Sequence, residues 1–274
     1  MLLPYEISFA TNKEQPWIWP TFWRVWRCYH YRYPYHYRYQ GSCVNSSTRI
    51  TYVFVEAALE LVPRELLSGK DVISSARRRG VDPGRMILDI SYHYRSMRRH
   101  LSDWYKRGRP DIIHTSLLVL SSSPLWRRGL VKAIIETRHG LIFIREMVRI
   151  ARNYNRFIGL MEQVLVEGSA PPNSSEPLIY LVKRDLLEYI DNESPDLVIL
   201  LDEAGKREDL ESLASRISRA RKPFILVGGF QRGTFSERIL SRGYKRVSIY
   251  SESLDTWAVI CMINTHLEKF LGSI

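Results

Sequence analysis

An α/β fold built around a largely parallel sheet is predicted by three observations. Strand-length apolar runs recur along the chain, amphipathic stretches of helical period separate them, and a glycine turn with Gly228, Gly229 and Gly233 follows one such run. Ile50–Val55 reads as the first buried strand. Val198–Leu201, Phe224–Val227 and Arg246–Tyr250 read as later strands, with helices near 208–220 and 234–242 between them. A stripe of Trp257, Ile260, Cys261, Leu267 and Leu271 marks a last helix within Thr256–Leu271, and its periodicity fits a core face and a seam between two copies equally well. Gly168–Pro177 is a Pro/Ser-rich break that reads as a surface loop or a linker. The glycine turn comes too late for a Rossmann domain, which places its turn after the first strand. Here only 41 of the 274 residues follow Gly233.

The first 48 residues differ from the rest. They hold four of the seven Trp and seven of the sixteen Tyr, with a near-repeat of Tyr, His and Arg over 29–39. This low complexity is read as a disordered extension or a start-site artefact, ahead of the alternative that alternating aromatics and arginines stack on single-stranded RNA. The remaining span, 49–274, is read as one domain.

Composition narrows the function. Forty Lys and Arg against 29 Asp and Glu give a formal charge of +11, a field suited to a polyanion such as nucleic acid. No apolar stretch is long enough for a membrane span, and Glu6, Lys13 and Glu14 interrupt the start, so a cytoplasmic protein is expected. Cys28, Cys43 and Cys261 lack ligand spacing and the seven histidines form no i, i+4 pair, so no metal site is expected; Cys261 is read as a small core residue. Neither a Walker-type phosphate loop nor a Gly-x-Ser-x-Gly elbow is present, which disfavours NTPase and serine hydrolase chemistry.

The surplus charge is concentrated in the middle of the chain. Ten Lys or Arg lie between Arg77 and Arg109 and eight between Leu125 and Arg156. On a helix, Arg149, Arg152 and Arg156 would share one face over roughly 10 Å, suited to successive phosphates, although such a triplet is also what a solvated face presents. Arg109 and Asp111 flank Pro110. The carboxylate is placed to hold the guanidinium ready for a base edge or phosphate, if the pair is more than a surface salt bridge. His114, on an apolar face with Leu117 and Leu118, reads as a satisfied core residue.

Three ordered strings carry a resemblance. Arg107-Gly-Arg-Pro-Asp-Ile-Ile-His114 with Ser123-Pro-Leu125, then Arg149-Ile-Ala-Arg-Asn-Tyr-Asn-Arg156 continuing to Gln163, then Val227-Gly-Gly-Phe with Gly233 and Val247-Ser-Ile-Tyr250, run in the same order as in one family. From about Arg49 onward the chain resembles the pseudouridine N1-methyltransferases of small-subunit ribosome biogenesis, in the SPOUT superfamily, and their archaeal branch in particular. The resemblance implies an α/β fold with a C-terminal trefoil knot, a homodimer, and S-adenosyl-L-methionine held by the knot loops. It assigns the cofactor to Leu200, Leu201 and Gly205 at the ends of one loop, to Gly228 and Gly233, and to Arg246, Val247, Ser248, Ile249, Tyr250 and Ser251. It assigns small-subunit ribosomal RNA to Arg109, Arg149, Arg152 and Arg156, with Asp111 steadying the first of them. The implied reaction is methyl transfer to N1 of a pseudouridine. It needs a proton acceptor, for which Asp111 is the nearest candidate, better suited to orienting Arg109. The alternative is a ribosome-assembly factor that binds RNA without a cofactor. Two features depart from the family pattern: the eukaryotic branch differs over Leu200–Gly205, and the aromatic tract has no counterpart.

Overall fold

The first strand, β1 (Ile50–Val55), is buried on both faces, with Ile50, Tyr52 and Phe54 in the larger core and Val53 and Val55 in the core on the opposite face. A strand covered on both sides belongs in the middle of a sheet. The computed structural model describes residues 48–272, so the aromatic tract falls outside the described residues except for Thr48. The other strands are β2 (Val131–Thr137), β3 (Gly140–Ile144), β4 (Ser169–Ala170), β5 (Ile179–Val182), β6 (Leu197–Arg207), β7 (Pro223–Gly228) and β8 (Lys245–Ser248). They form one sheet in the order β4-β5-β3-β2-β1-β7-β6-β8. The five strands from β2 to β8 are parallel, as expected. The other end is an antiparallel edge of β3, β5 and β4, created because β2 and β3 are joined by a turn too short for a crossover.

Nine α-helices lie among the described residues: α1 (Lys70–Arg79), α2 (Ile90–His100), α3 (Pro110–Ser122), α4 (Pro124–Arg127), α5 (Tyr154–Glu167), α6 (Leu186–Glu193), α7 (Leu210–Arg219), α8 (Glu237–Leu240) and α9 (Thr256–Phe270). On one face of the sheet, α9 packs against α3 and α7, and Ile260, Ile263 and Leu267 enter the larger core. Leu186, Tyr189 and Ile190 of α6 and Ile239 of α8 cover the other face. A satellite core around Leu66, Val72, Met86 and Met97 joins α1 to α2. Residues 171–178 are the surface connection from β4 to β5.

Four expectations are corrected. The predicted loop from Leu200 to Gly205 lies within β6, which pairs with β8 twice: Val247 faces both Leu201 and Lys206, so 202–205 are extruded as a bulge from a continuing strand. The helix predicted near 234–242 shrinks to α8, because Ser236 donates its N–H to the Glu56 carboxylate at 3.0 Å and the residues before it stay in the glycine turn. Arg149 and Arg152 are not helical. Helix α5 begins only at Tyr154, where the Asn153 side chain caps it by accepting from the Arg156 N–H at 3.1 Å. Cys261 is exposed, since the buried stripe of α9 runs through Val259, Ile260, Ile263 and Leu267 and leaves Cys261 on the outer side.

Candidate functional site

Parallel α/β sheets bind ligands beyond the carboxyl ends of their strands. Beyond the ends of β7, β6 and β8 opens a cleft of about 730 Å³. Its apolar wall comes from Leu201, Val227, Ile249 and Leu254, and the acidic residues Asp202, Glu203, Glu252 and Asp255 also line it. Arg109 closes one side. The backbone explains how so late a glycine run comes to face an arginine from the middle of the chain. Gly229 donates to Val55 O at 2.9 Å, Ala58 donates to Gly229 O at 2.8 Å, and Arg109 donates to Ala58 O at 3.0 Å. The approach is close. A Cβ on Gly229 would lie 2.8 Å from the Ala57 Cα, which only glycine tolerates.

The glycine turn is also fastened by side chains. Lys106 donates to Thr234 O at 2.7 Å, sits 4.1 Å from the centre of the Phe230 ring, and pairs with Glu56. Burial would raise the Glu56 carboxyl, yet hydrogen bonds from Lys106 and Ser236 outweigh it and hold its pKa low. Glu136 behind it is more deeply buried, and that burial pushes its carboxyl up despite the pairing with Arg238. On the far side of the cleft, Thr256 at the start of α9 donates its hydroxyl to Gly228 O at 2.7 Å.

Arg109 is held as the sequence implied. Its Nε and Nη2 donate to the two Asp111 oxygens at 2.7 and 2.6 Å, and this pairing keeps the guanidinium firmly charged. Arg109 and Ile112 line the cleft; Asp111 is not among its lining residues. The segment carrying Arg149 and Arg152 is irregular and tied down by two side chains. Trp126 donates its ring N–H to Val148 O at 3.1 Å, and the His114 Nε2 bonds Ala151 O at 2.7 Å while its ring stacks on Phe157 at 4.4 Å. His114 is thus a satisfied, buried residue. Arg149 and Arg152 in this segment and Arg156 at the start of α5 are exposed.

The family profile described as EMG1/NEP1 methyltransferase matches residues 52–268. The chain belongs to this family. It is 41% identical over 221 residues to the ribosomal RNA small subunit methyltransferase Nep1 of Staphylothermus marinus, covering 80% of this chain and 95% of that protein. The protein of the same name from Aeropyrum pernix is 39% identical over 219 residues, covering 79% and 96%. Among solved structures, that of Archaeoglobus fulgidus Nep1 bound to S-adenosylhomocysteine superposes with a TM-score of 0.70 at 30% identity, covering 83% of this chain and 99% of that one. The resemblance carried by the three strings is therefore borne out for EMG1/NEP1 membership.

Of the residues assigned from the strings, Arg109, Leu201, Gly228, Gly233, Ser248, Ile249 and Tyr250 line the cleft. Leu200 and Val247 are buried beneath it, Gly205 packs on the β8 backbone, and Arg246 is turned to Asp202, its Nε 3.0 Å and Nη2 2.8 Å from Oδ2. Ser251 is exposed and outside the lining. Sequence reasoning gave Phe230 no role, although it stands in the third string, and missed Leu254, Asp255, Thr256 and the fastening pair Glu56–Lys106. An apolar or acidic residue beside a glycine carries no periodic signal, and Glu56 and Lys106 are 50 positions apart. The one available cue was Asp255-Thr256 before the apolar stripe, a helix-start pattern.

Proposed function

We propose that this protein transfers a methyl group from S-adenosyl-L-methionine to N1 of a pseudouridine in small-subunit ribosomal RNA, as part of small-subunit biogenesis in the cytoplasm. The observation that carries the reading is the junction of the glycine-bounded cleft with the braced Arg109: a cofactor slot and a cationic RNA surface share one wall. The lining fits the cofactor. Its apolar residues suit an adenine, and the carboxylates of Glu203, Glu252 and Asp255 suit a molecule with a sulfonium and an amine. S-adenosylmethionine supplies an already activated methyl group, so the chain's task is alignment and exclusion of water.

Leu201, Val227, Gly228, Ser248, Ile249 and Tyr250 would hold the cofactor, with Leu200, Gly205, Gly233, Arg246, Val247 and Ser251 shaping the three segments. Arg109 would grip the target nucleotide, which has to leave its stack to enter the cleft. Arg149, Arg152 and Arg156 would bind phosphates on either side. Asp111 is a positioning residue: a carboxylate committed to two hydrogen bonds with a guanidinium is a poor base for the N1 proton. Likeness to a solved Nep1 supports a SPOUT-type arrangement with the C-terminal trefoil knot. A homodimer is supported by the outer face of α9, where Cys261 is exposed and Trp257 half-buried next to the core stripe.

Mass mapping of small-subunit RNA from a strain lacking the gene tests the reaction. The expected result is one pseudouridine lighter by a methyl group. An unchanged methylation map, with calorimetry detecting no S-adenosylmethionine binding, would leave a cofactor-free assembly factor instead. Arg152→Ala and Arg156→Ala should each weaken RNA binding and lower its salt slope by about 1, with cofactor affinity unchanged.

A further inference from the structure

Three aromatic rings form a strip that runs up to the cleft. Trp104 and Tyr105 belong to a single 3₁₀ turn, Trp104–Lys106, which leads into Arg107 and Arg109, while Tyr94 stands on α2. Tyr94 meets Trp104 edge to face with ring centres 5.6 Å apart, and Trp104 meets Tyr105 in the same way at 6.3 Å. The strip ends on the glycine turn. A Cβ on Gly233 would lie 3.4 Å from Tyr105 Cε2, and Lys106, the next residue, is the one that bonds Thr234 O. Gly233 and Thr234 line the cleft, so Tyr105 stands at its mouth.

Packing does not account for the two tyrosines. Trp104 is half-buried against the satellite core, but Tyr94 and Tyr105 belong to no core and are 42% and 44% exposed. Aromatic surface left in water beside a cleft marks a contact face. The charge around it is positive. Helix α2 carries Arg95, Arg98 and Arg99, all exposed, and no acidic residue, and Arg98 Nη1 donates to the Tyr94 hydroxyl at 3.3 Å. Asp103, beside Trp104, is paired with Arg107 and Arg138, and Glu56 with Lys106, so these carboxylates are already neutralised. At the cleft end stands Arg232. It lines the cleft, is exposed, and makes no ion pair among the described residues. Aromatic faces interleaved with guanidinium groups suit unpaired RNA, whose bases stack on the rings while its phosphates meet the arginines. A duplex keeps its bases stacked inside and would leave the tyrosines unused.

We propose that Tyr105, Trp104 and Tyr94 receive, from the cleft outward, the unpaired nucleotides next to the one that is methylated, with Arg232 and Arg98 on their phosphates. The proposal rests on the RNA-methylation reading and extends its RNA surface beyond the arginines already assigned. The test uses the full chain and a labelled transcript of the small-subunit RNA, with filter binding across a salt series for wild type, Tyr94→Ala, Tyr105→Ala and Arg232→Gln. Each tyrosine variant should bind about 10-fold more weakly at every salt concentration with the salt slope unchanged, as a stacking contact requires. Arg232→Gln should lower the slope by about 1. All three should keep wild-type affinity for S-adenosylhomocysteine. Annealing a complementary strand over the nucleotides beside the target should abolish the difference between wild type and Tyr94→Ala, which a folding defect would not do. Wild-type RNA affinity in either tyrosine variant would overturn the strip and leave this face to another partner. Loss of S-adenosylhomocysteine affinity in Arg232→Gln with an unchanged salt slope would overturn the phosphate contact and give Arg232 to the cofactor. Failure of the wild-type chain to bind the transcript or S-adenosylhomocysteine would sink the methylation reading itself, whereas intact wild-type binding with unaffected tyrosine variants would sink this strip alone.

Discussion

Gly205→Ala would separate two strands that must touch for the cleft to exist. A methyl group on Gly205 would sit 2.6 Å from Val247 N, 2.7 Å from the Arg246 carbonyl carbon and 2.9 Å from its oxygen. Ordinary contact begins at 3.4 Å, so β6 and β8 must part by about 0.8 Å, and since all three atoms are backbone no rotamer change relieves the clash. Overpacking of this kind costs about 1–3 kcal/mol. In a domain of this size that lowers Tm by roughly 2–12 °C. The loss of ligand should be larger than stability alone implies, because Leu201, Asp202 and Glu203 line the cleft from one strand and Ser248 from the other, with Ile249 and Tyr250 directly after it. Calorimetric titration with S-adenosylhomocysteine should show affinity reduced about 10- to 100-fold, on the order of 1.4–2.8 kcal/mol. Gly243→Ala is the control. Its φ is +68° with nothing within 4 Å of a Cβ, so it bears about 1–2 kcal/mol of backbone cost without a clash at the site. Gly205→Ala binding within twofold of wild type would refute the reasoning, as would an equal loss of affinity in Gly243→Ala.

Lys106→Met removes the fastening of the glycine turn to Glu56 and Thr234. S-adenosylhomocysteine affinity should fall about 10-fold, and adding Glu56→Gln should cost less than the sum of the two single changes, as a double-mutant cycle by calorimetry would measure. Glu56 also sets a pH dependence. Its folded pKa lies below its unfolded value, so its contribution to stability is present above the ordinary glutamate range near about 4.3 and is lost as pH falls through the folded pKa. Glu56→Gln should therefore melt lower than wild type at pH 7, with the difference closing as pH falls through the folded pKa of Glu56. Asp111→Asn keeps the charge on Arg109 but removes its brace. RNA affinity should drop several-fold in filter binding, with an unchanged salt slope and unchanged cofactor affinity.

Much of the fold was legible locally. Ile50–Val55, Phe224–Val227 and the helix near 208–220 stand out because each is a continuous run whose period, 2 or 3.6, reports burial within the element itself. Ordered short strings were enough to carry family membership and, through it, seven of the residues that line the cleft. The departures share one cause. A strand can extrude four residues and resume pairing, as β6 does around 202–205, and nothing in the residues from Asp202 to Gly205 announces that Val247 will be met twice. Helix α5 starts after Arg152 because Asn153 caps it and because Trp126 and His114 hold the carbonyls of the preceding segment, contacts 22 and 37 positions apart in the chain.

The sequence by itself determined the α/β class, the basic middle segment, the Arg109–Asp111 brace and the late glycine turn, since these depend on neighbours a few residues apart. Tertiary structure alone decided that the glycine run, the bulge of β6, the end of β8 and Arg109 surround one cleft. The physical reason is reach. Periodicity and turn chemistry act over a few residues, whereas these sites are assembled by hydrogen bonds from Gly229 to Val55 and from Arg109 to Ala58, whose partners the chain brings together only after the sheet has formed.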